Sequence, residues 1–128
     1  MDDYRDRLCI IMAGYPKEMD DFVTKSNPGL KSRIAFYLDF PDYSTDELIQ
    51  ILELHAGRIG YEIQPAAIEK IRSHLPTVDM KTEGNGRYIR NLLERAERRQ
   101  NLRIYEAGKQ GEEQVSLIHV LKAKDFIF

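Results

Sequence analysis

The sequence has one cysteine, no tryptophan, no long apolar segment and no large excess of either charge. The single cysteine, Cys9, excludes an internal disulfide, and since it stands in an apolar run we expect a buried thiol rather than a reactive one. No stretch approaches the roughly 18 apolar residues that a membrane-spanning helix needs. The formal net charge of −2 over 128 residues gives no general attraction to nucleic acid or to anionic lipid. These absences favour a globular protein of a reducing compartment, the cytoplasm.

The first 41 residues have the pattern of a strand, a helix and a second strand. The apolar run 8–14 is typical of a strand buried on both faces, and 16–25 predicts a short amphipathic helix. One helical turn is expected at 30–34, followed by a strand over 35–40 that Pro41 ends. Two strands and one helix cannot cover both faces of a sheet. Residues 1–41 therefore predict a βαβ remnant of a larger α/β sheet, whose other strands precede Met1 or belong to another chain.

From residue 42 the pattern becomes mostly α. Ser44 and Glu47 have the spacing of a capping box, in which each side chain bonds the main-chain N–H of the other residue. Apolar periodicity predicts helices over 45–57, from Pro65 to about residue 75, and from 84 to about 105. Between and after them we expect a loop at 77–83, a flexible link at 107–114, an extended segment at 115–118 and a short helix at 120–126. The prediction for residues 42–128 is a small helical bundle.

The third predicted helix opens directly from a tight turn, Gly84-Asn85-Gly86, that is followed by Arg87. Gly84 and Gly86 can adopt a positive φ, and Asn85 tolerates it. Arg87 falls in the first helical turn, where the helix dipole favours an anion and disfavours a cation. Free N–H groups at a helix start, joined by an arginine, suit the binding of a phosphate. The alternative is a solvated arginine without a function.

Motifs that carry common enzyme chemistry are missing from the sequence. The only Gly-Lys pair, Gly108-Lys109, is followed by Gln110 and fails the phosphate-loop pattern known as Walker A. His55, His74 and His119 lack the spacing of metal ligands, so no metal site is expected. No arrangement of serine, histidine and aspartate for nucleophilic catalysis can be assembled from the sequence.

Arginines recur along the third predicted helix, between residues 87 and 103. A basic helix of this kind can bind nucleic acid. However, Glu94 stands four residues before Arg98, which favours an ion pair on the helix surface. A nucleic-acid-binding domain usually carries a net positive charge, and this chain does not. Nucleic acid is therefore a disfavoured partner.

Four motifs stand in a characteristic order along the chain. They are AGYPKEM at 13–19, NPGLKSRI at 27–34, DFPDYS at 39–44 and GNGRYIRN at 84–91. Together they resemble the C-terminal part of the CbxX/CfqX family of AAA+ ATPases, to which the red-type Rubisco activases and the stage V sporulation protein K group belong. The resemblance covers residues 3–105, with a weaker match near 124–126. It implies that residues 1–41 are the end of the ATPase core and that residues 42–128 are the helical lid.

The resemblance also implies roles for individual residues. Arg33 corresponds to the arginine finger, which reaches a neighbouring subunit's nucleotide and stabilises charge on the γ-phosphate. Arg87 corresponds to the second sensor, which closes the lid on ATP, and Arg90 is the second choice for that role. Tyr15 stands near the position of the first sensor, where the family-wide pattern commonly has asparagine, so Tyr15 departs from it. A plain surface arginine is the alternative for Arg33.

By the same resemblance, Walker A and Walker B lie upstream of this chain, in a hexameric parent that binds ATP and Mg²⁺ and acts on a protein partner. We expect this chain alone to bind neither ATP nor Mg²⁺ and to show no ATPase activity, because it lacks the groups that hold the nucleotide. It then represents a truncated or split product of the parent. The rival interpretation is a stand-alone helical module that binds a protein through the apolar face of residues 8–40.

Overall fold

The computed structural model describes residues 7–26, 28–109 and 119–128, and within them the protein is mostly α-helical, as predicted. The elements are α1 Pro16–Ser26, α2 Pro28–Lys31, α3 Thr45–Arg58, β1 Glu62–Ile63, α4 Pro65–His74, a 3₁₀ turn Leu75–Thr77, α5 Met80–Glu83, α6 Asn85–Lys109 and β2 Val120–Leu121. Across these residues, no helix is both long enough and apolar enough to cross a lipid bilayer. The chain divides into two compact units, Met1–Pro41 and Asp42–Phe128.

In the first unit, the predicted helix at 16–25 is confirmed as α1. It begins where the Met19 N–H donates to the Tyr15 carbonyl at 2.9 Å, and it buries Val23. The helical turn predicted at 30–34 forms slightly earlier, as α2, which packs against α1. The chain then turns at residues 32–33 and runs on without regular structure to Ser44.

The strands predicted at 8–14 and 35–40 are not formed in the described part of the first unit. A strand satisfies its main-chain N–H and C=O groups through a neighbouring strand, and these residues supply no neighbour for each other. Their apolar side chains stand open to solvent instead, with Ile11, Phe36 and Phe40 between 85 and 88% exposed. The prediction of a buried Cys9 is wrong for the same reason, because this thiol is exposed.

The second unit is a helical bundle that starts from the predicted capping box. The Glu47 N–H donates to Ser44 Oγ at 3.3 Å, and the Ser44 N–H donates to Glu47 Oε2 at 2.8 Å, so this prediction is confirmed. Helix α3 packs against α6 and α4, and the helices predicted at 45–57 and from Pro65 are confirmed. The fully or almost fully buried core includes Leu48, Leu52, Ala67, Ile71, Ile89, Leu92, Ala96, Leu121 and Phe126.

The helix predicted at 120–126 is wrong, because this segment forms β2 and then a turn at residues 123–125. β2 runs parallel to β1, with Glu62 opposite Val120 and Ile63 opposite Leu121. A side chain stabilises the turn, since Asp125 Oδ2 accepts from the Lys122 N–H at 2.8 Å. A strand partner 58 positions away and an aspartate cap thus decide the structure of this segment.

Three further predictions concern the connections. Part of the loop predicted at 77–83 is helical, since α5 forms behind an Asp79 cap whose carboxylate accepts from the Lys81 N–H at 3.2 Å. Residues 107–109 of the predicted flexible link belong to α6, and 110–114 lie outside the described residues. The extended segment predicted at 115–118 also lies outside them.

Candidate functional site

The turn before α6 is built on one glycine in the left-handed region. Gly84 has φ +76°, where a side chain would be strained. Its N–H donates to the Met80 carbonyl at 2.9 Å, and its carbonyl accepts from the Tyr88 N–H at 2.7 Å. A single residue therefore ends α5 and begins α6. Gly86 lies inside the helix and does not have a positive φ. Of the two glycines in this turn, only Gly84 therefore adopts the positive φ that the sequence allowed.

Arg87 lies in the first turn of α6, and its side chain is exposed. The first N–H groups of an α-helix have no acceptor within the helix, and the dipole adds partial positive charge there. No acidic residue occupies this first turn. The start of α6 therefore combines an exposed guanidinium with main-chain donors that have no acceptor within the helix, which is chemistry suited to a phosphate oxygen.

Arg90 stands three residues further along α6 and is also exposed, so the structure places both candidate sensor arginines at the same helix end. Neighbours three positions apart on a helix lie about 5–6 Å from each other at Cβ, close enough to serve one ligand. Arg33 and Tyr15 belong to the first unit.

Arg33 follows α2 in an exposed turn. Its Nη1 donates to the Gly29 carbonyl at 3.0 Å, and the same carbonyl accepts from Ser32 Oγ at 3.0 Å. A guanidinium carries five N–H donors in a planar fork, and Nη1 directs one of them to Gly29. This bond holds the arginine over its own turn.

Tyr15 contributes its main chain rather than its ring. The Tyr15 carbonyl accepts the first hydrogen bond of α1, while 71% of the residue is exposed. The hydroxyl is a donor and an acceptor of the kind a sensor needs. The first-sensor role that the resemblance implies near Tyr15 stays a prediction.

The sequence reasoning missed the role of Asn85, the first residue of α6. Asn85 Oδ1 accepts from the Tyr43 N–H at 3.0 Å, and Asn85 Nδ2 donates to Asp42 Oδ1 at 2.8 Å. These bonds join residues more than 40 positions apart, so no local spacing could reveal them. From the sequence alone, the only property expected of Asn85 is that it tolerates a positive φ.

A second feature that the sequence did not reveal is a side-chain contact between α6 and α4. The Tyr88 hydroxyl lies 2.9 Å from His74 Nε2, and the His74 ring stacks on Phe128 with the ring centroids 3.7 Å apart. Burial, and then the charge of Arg95, lower the pKa of His74 below its usual value. Burial also raises the pKa of Tyr88. The residue next to Arg87 is therefore anchored to α4 through neutral groups.

No group of three or more metal-binding side chains occurs within residues 7–26, 28–109 and 119–128. Two of the histidines have aromatic neighbours in the structure. His74 is held as above, and the His119 ring meets Tyr61 edge-on with the centroids 6.1 Å apart.

Comparison with known proteins places these features in a family. A family model described as the AAA lid domain matches residues 44–128. Protein CfxQ of Xanthobacter flavus is 41% identical over 109 residues, which cover 84% of this chain and 34% of CfxQ. Stage V sporulation protein K of Bacillus subtilis is 37% identical over 108 residues, covering 81% of this chain and 33% of that protein.

A chloroplastic relative extends the comparison. The ribulose bisphosphate carboxylase/oxygenase activase of Cyanidioschyzon merolae is 42% identical over 109 residues, covering 82% of this chain and 36% of the activase. The chain thus spans about a third of the length of these relatives. It belongs to the CbxX/CfqX family of AAA+ ATPases, corresponds to their C-terminal part, and carries the AAA lid domain.

Proposed function

We propose that this chain is the lid and arginine-finger part of a hexameric AAA+ ATPase that uses ATP to remodel a protein partner. The observation that carries the proposal is the start of α6, where the exposed Arg87 stands in the first helical turn within the matched lid domain. The positive end of α6 favours anions; the Asp42 carboxylate bonded to Asn85 is one, and Arg87 is suited to bind another. A nucleotide phosphate is such an anion.

Arg87 acts in this proposal as the second sensor. Its fork donates two parallel hydrogen bonds to phosphate oxygens, and these bonds are stronger than neutral ones because both partners are charged. The γ-phosphate is lost on hydrolysis, so the contact distinguishes ATP from ADP. Arg90 lies on the same helix end and is the alternative residue for this contact.

Arg33 acts as the finger that one subunit offers to its neighbour's nucleotide. The exposed guanidinium bonds the neutral Gly29 carbonyl, and a phosphate is a stronger acceptor for a charged donor. In other NTPases an arginine finger contributes about 10³–10⁵ in rate.

Residues 1–41 form the end of the ATPase core in this proposal. Their two apolar segments are extended and exposed, and they lack neighbouring strands within the described residues. The upstream strands of the parent would provide these neighbours. ATP and Mg²⁺ fit this chain only in part, because Arg87 and the helix start suit a phosphate but the sequence has no phosphate loop. The parent's upstream residues therefore hold the nucleotide, and the isolated chain is inactive.

A chimera tests this function. The N-terminal two-thirds of CfxQ from Xanthobacter flavus would be joined to this chain at the start of their similarity, and steady-state ATP hydrolysis would be measured. We expect turnover by the chimera and none by the chain alone. Arg87→Ala should raise the KM for ATP about tenfold, the effect of one lost charged contact. Arg99→Ala is the matched control, since Arg99 is exposed on the same helix and far from its start.

Arg33→Ala in the chimera should lower kcat by at least about 10³-fold with little change in KM, as expected for a finger. If the finger acts between subunits, adding Arg33→Ala protein to unsubstituted protein should inhibit more than dilution predicts. Turnover by the isolated chain that disappears on Arg33→Ala would contradict the proposal, because the site would then be complete without the parent.

The exposed apolar residues of the first unit favour a second candidate function, a stand-alone module that binds a partner protein. Phe36, Leu38 and Phe40 are each at least 80% exposed, and contiguous apolar surface usually marks an interface. Two measurements on the isolated chain distinguish the two candidate functions: sedimentation, which gives the oligomeric state, and the binding of a dye that recognises apolar surface. Stable dimers that bind no dye would favour the module, whereas dye binding that disappears in the chimera would favour the ATPase fragment.

A further inference from the structure

We propose that Asn85 is a positioning residue for Arg87, and that it acts by fixing the start of α6 to residues 42 and 43. The inference rests on the proposed function, since it assigns Arg87 a phosphate to meet. It adds a residue that touches no nucleotide and acts through the main chain of α6.

The geometry gives Asn85 two directional bonds. Its Oδ1 accepts from the Tyr43 N–H at 3.0 Å, and its Nδ2 donates to Asp42 Oδ1 at 2.8 Å. The amide orientation is fixed, because a flip would set two donors together on one side and two acceptors on the other. Aspartate lacks the donor, and glutamine is one methylene longer. Asparagine alone provides both bonds in this shape.

The bonds connect the beginnings of two helices. Asp42 is the first residue of the second unit, and Ser44 two positions later caps α3. Asn85 and Arg87 share the first turn of α6. Because a helix is stiff, fixing Asn85 against residues 42 and 43 also fixes the Cα of Arg87 relative to the start of α3. The Asp42 carboxylate lies near the positive end of α6, which strengthens the arrangement.

Preorganisation of this kind affects ligand binding. An arginine whose backbone is already in place loses less freedom when it meets a phosphate than one on a loose turn. Loss of the Asn85 bonds should therefore weaken ATP binding while leaving the chemistry of hydrolysis unchanged. A merely structural role predicts a different result, a loss of melting temperature with kcat and KM unaffected in the surviving folded protein.

The first measurement uses the 128-residue chain itself. Hydrogen exchange at the Tyr43 amide, followed by NMR, should become at least about tenfold faster in Asn85→Ala, because the amide loses its acceptor. Asn91→Ala is the matched control, since Asn91 is exposed on the same helix. Unchanged protection of Tyr43 in Asn85→Ala would overturn the proposal at its first step.

The second measurement uses the chimera. Asn85→Ala should raise the KM for ATP about three- to tenfold with less than about a twofold change in kcat, since one well-placed contact is weakened and not removed. The double exchange Asp42→Asn with Asn85→Asp reverses donor and acceptor and keeps the acceptor for Tyr43. It should return KM to within about twofold of the unsubstituted chimera. Asn85→Asp alone places two carboxylates together and should resemble Asn85→Ala at neutral pH.

The outcomes separate the two proposals. If Arg87→Ala raises KM and Asn85→Ala does not, the inference fails and the proposed function stands. If Arg87→Ala leaves KM unchanged, the inference fails; if Arg90→Ala leaves it unchanged as well, the sensor part of the proposed function fails with it. If the double exchange does not restore KM, the effect of Asn85→Ala comes from something other than these hydrogen bonds, and the inference is overturned.

Discussion

Arg103 donates two hydrogen bonds to Asp125, from Nε to Oδ1 at 3.0 Å and from Nη2 to Oδ2 at 2.9 Å. The two side chains are only 15% and 3% exposed. Arg103 Nη2 also donates to the Val120 carbonyl at 3.2 Å. The pair thereby joins α6 to both ends of the segment that carries β2, and residues 119–128 depend on it.

Breaking this pair should be costly. Arg103→Met leaves the Asp125 carboxylate buried without its counter-charge, so we expect the free energy of unfolding to fall by about 3–5 kcal/mol. Urea unfolding followed by circular dichroism measures it. Glu94→Gln is the control, because it breaks the exposed pair with Arg98, whose closest atoms are 3.9 Å apart. That change should cost about 0.5 kcal/mol or less. Equal losses in the two variants would contradict the prediction.

A lysine fixes the same segment from α4. Lys70 Nζ donates to the Ala123 carbonyl at 3.0 Å and to the Phe126 carbonyl at 2.6 Å. Lys70→Met keeps the length of the side chain and removes both bonds, so we expect a loss of about 1–3 kcal/mol. Hydrogen exchange should accelerate at residues 119–126 before it does so in α3. Lys81→Met serves as the exposed control, and exchange that accelerates evenly over the second unit would refute a local effect.

The capping box at the start of α3 offers a smaller test. Ser44→Ala removes the acceptor of the Glu47 N–H, and we expect a loss of about 1 kcal/mol. Ser73→Ala is the matched control, because the Ser73 hydroxyl bonds a carbonyl four residues earlier inside α4. Such bonds add little to a helix, so this variant should be nearly neutral. Thermal unfolding compares the two, and a larger loss in Ser73→Ala would rule out the cap as the source.

The pH dependence of stability should contain a contribution from His74. Its pKa is lowered in the folded chain, so the unfolded chain binds a proton more readily. The free energy of unfolding should therefore fall as the pH drops through the usual value of 6.5 toward the lower folded value, and this contribution should be constant above that window. Urea unfolding at about pH 5.5 and about pH 7.5 measures the change.

Phe128→Ala provides the control for that effect. It removes the ring that stacks on His74, so solvent reaches the imidazole and its pKa should rise toward the usual value. Arg95→Gln should raise the pKa as well, since the charge of Arg95 is the second cause of the shift. An NMR titration of the His74 ring checks both. A pH dependence of stability that is unchanged in both variants would assign it to other groups.

The sequence predicted the helices of the second unit well because their determinants are local. Apolar spacing, the Ser44 cap and Pro65 at a helix start act within a few residues. The same rules failed where a distant partner decides the structure. Residues 120–126 were expected to form a short helix, yet main-chain bonding to residues 62–64 makes Val120 and Leu121 a strand.

The first unit shows the opposite case. The segments 8–14 and 35–40 have the composition of buried strands, and the described residues provide nothing to pair them or cover them. Composition reveals the preference of a segment but not whether its partner is present. At the candidate site, the positions of Arg87 and Arg90 on a helix start followed from the sequence. The bonds from Asn85 to residues 42 and 43 did not, since they depend on how the helices pack.

The parallel pairing of β1 with β2 has a consequence for synthesis. Leu121 and Phe126 are fully buried in the core of the second unit, but the ribosome adds them after the described helices α3 to α6. The nascent helices therefore emerge with two positions of their common interior unfilled, and they expose apolar surface during that interval. Synthesis of residues 121–126, rather than formation of the helices, completes this interior.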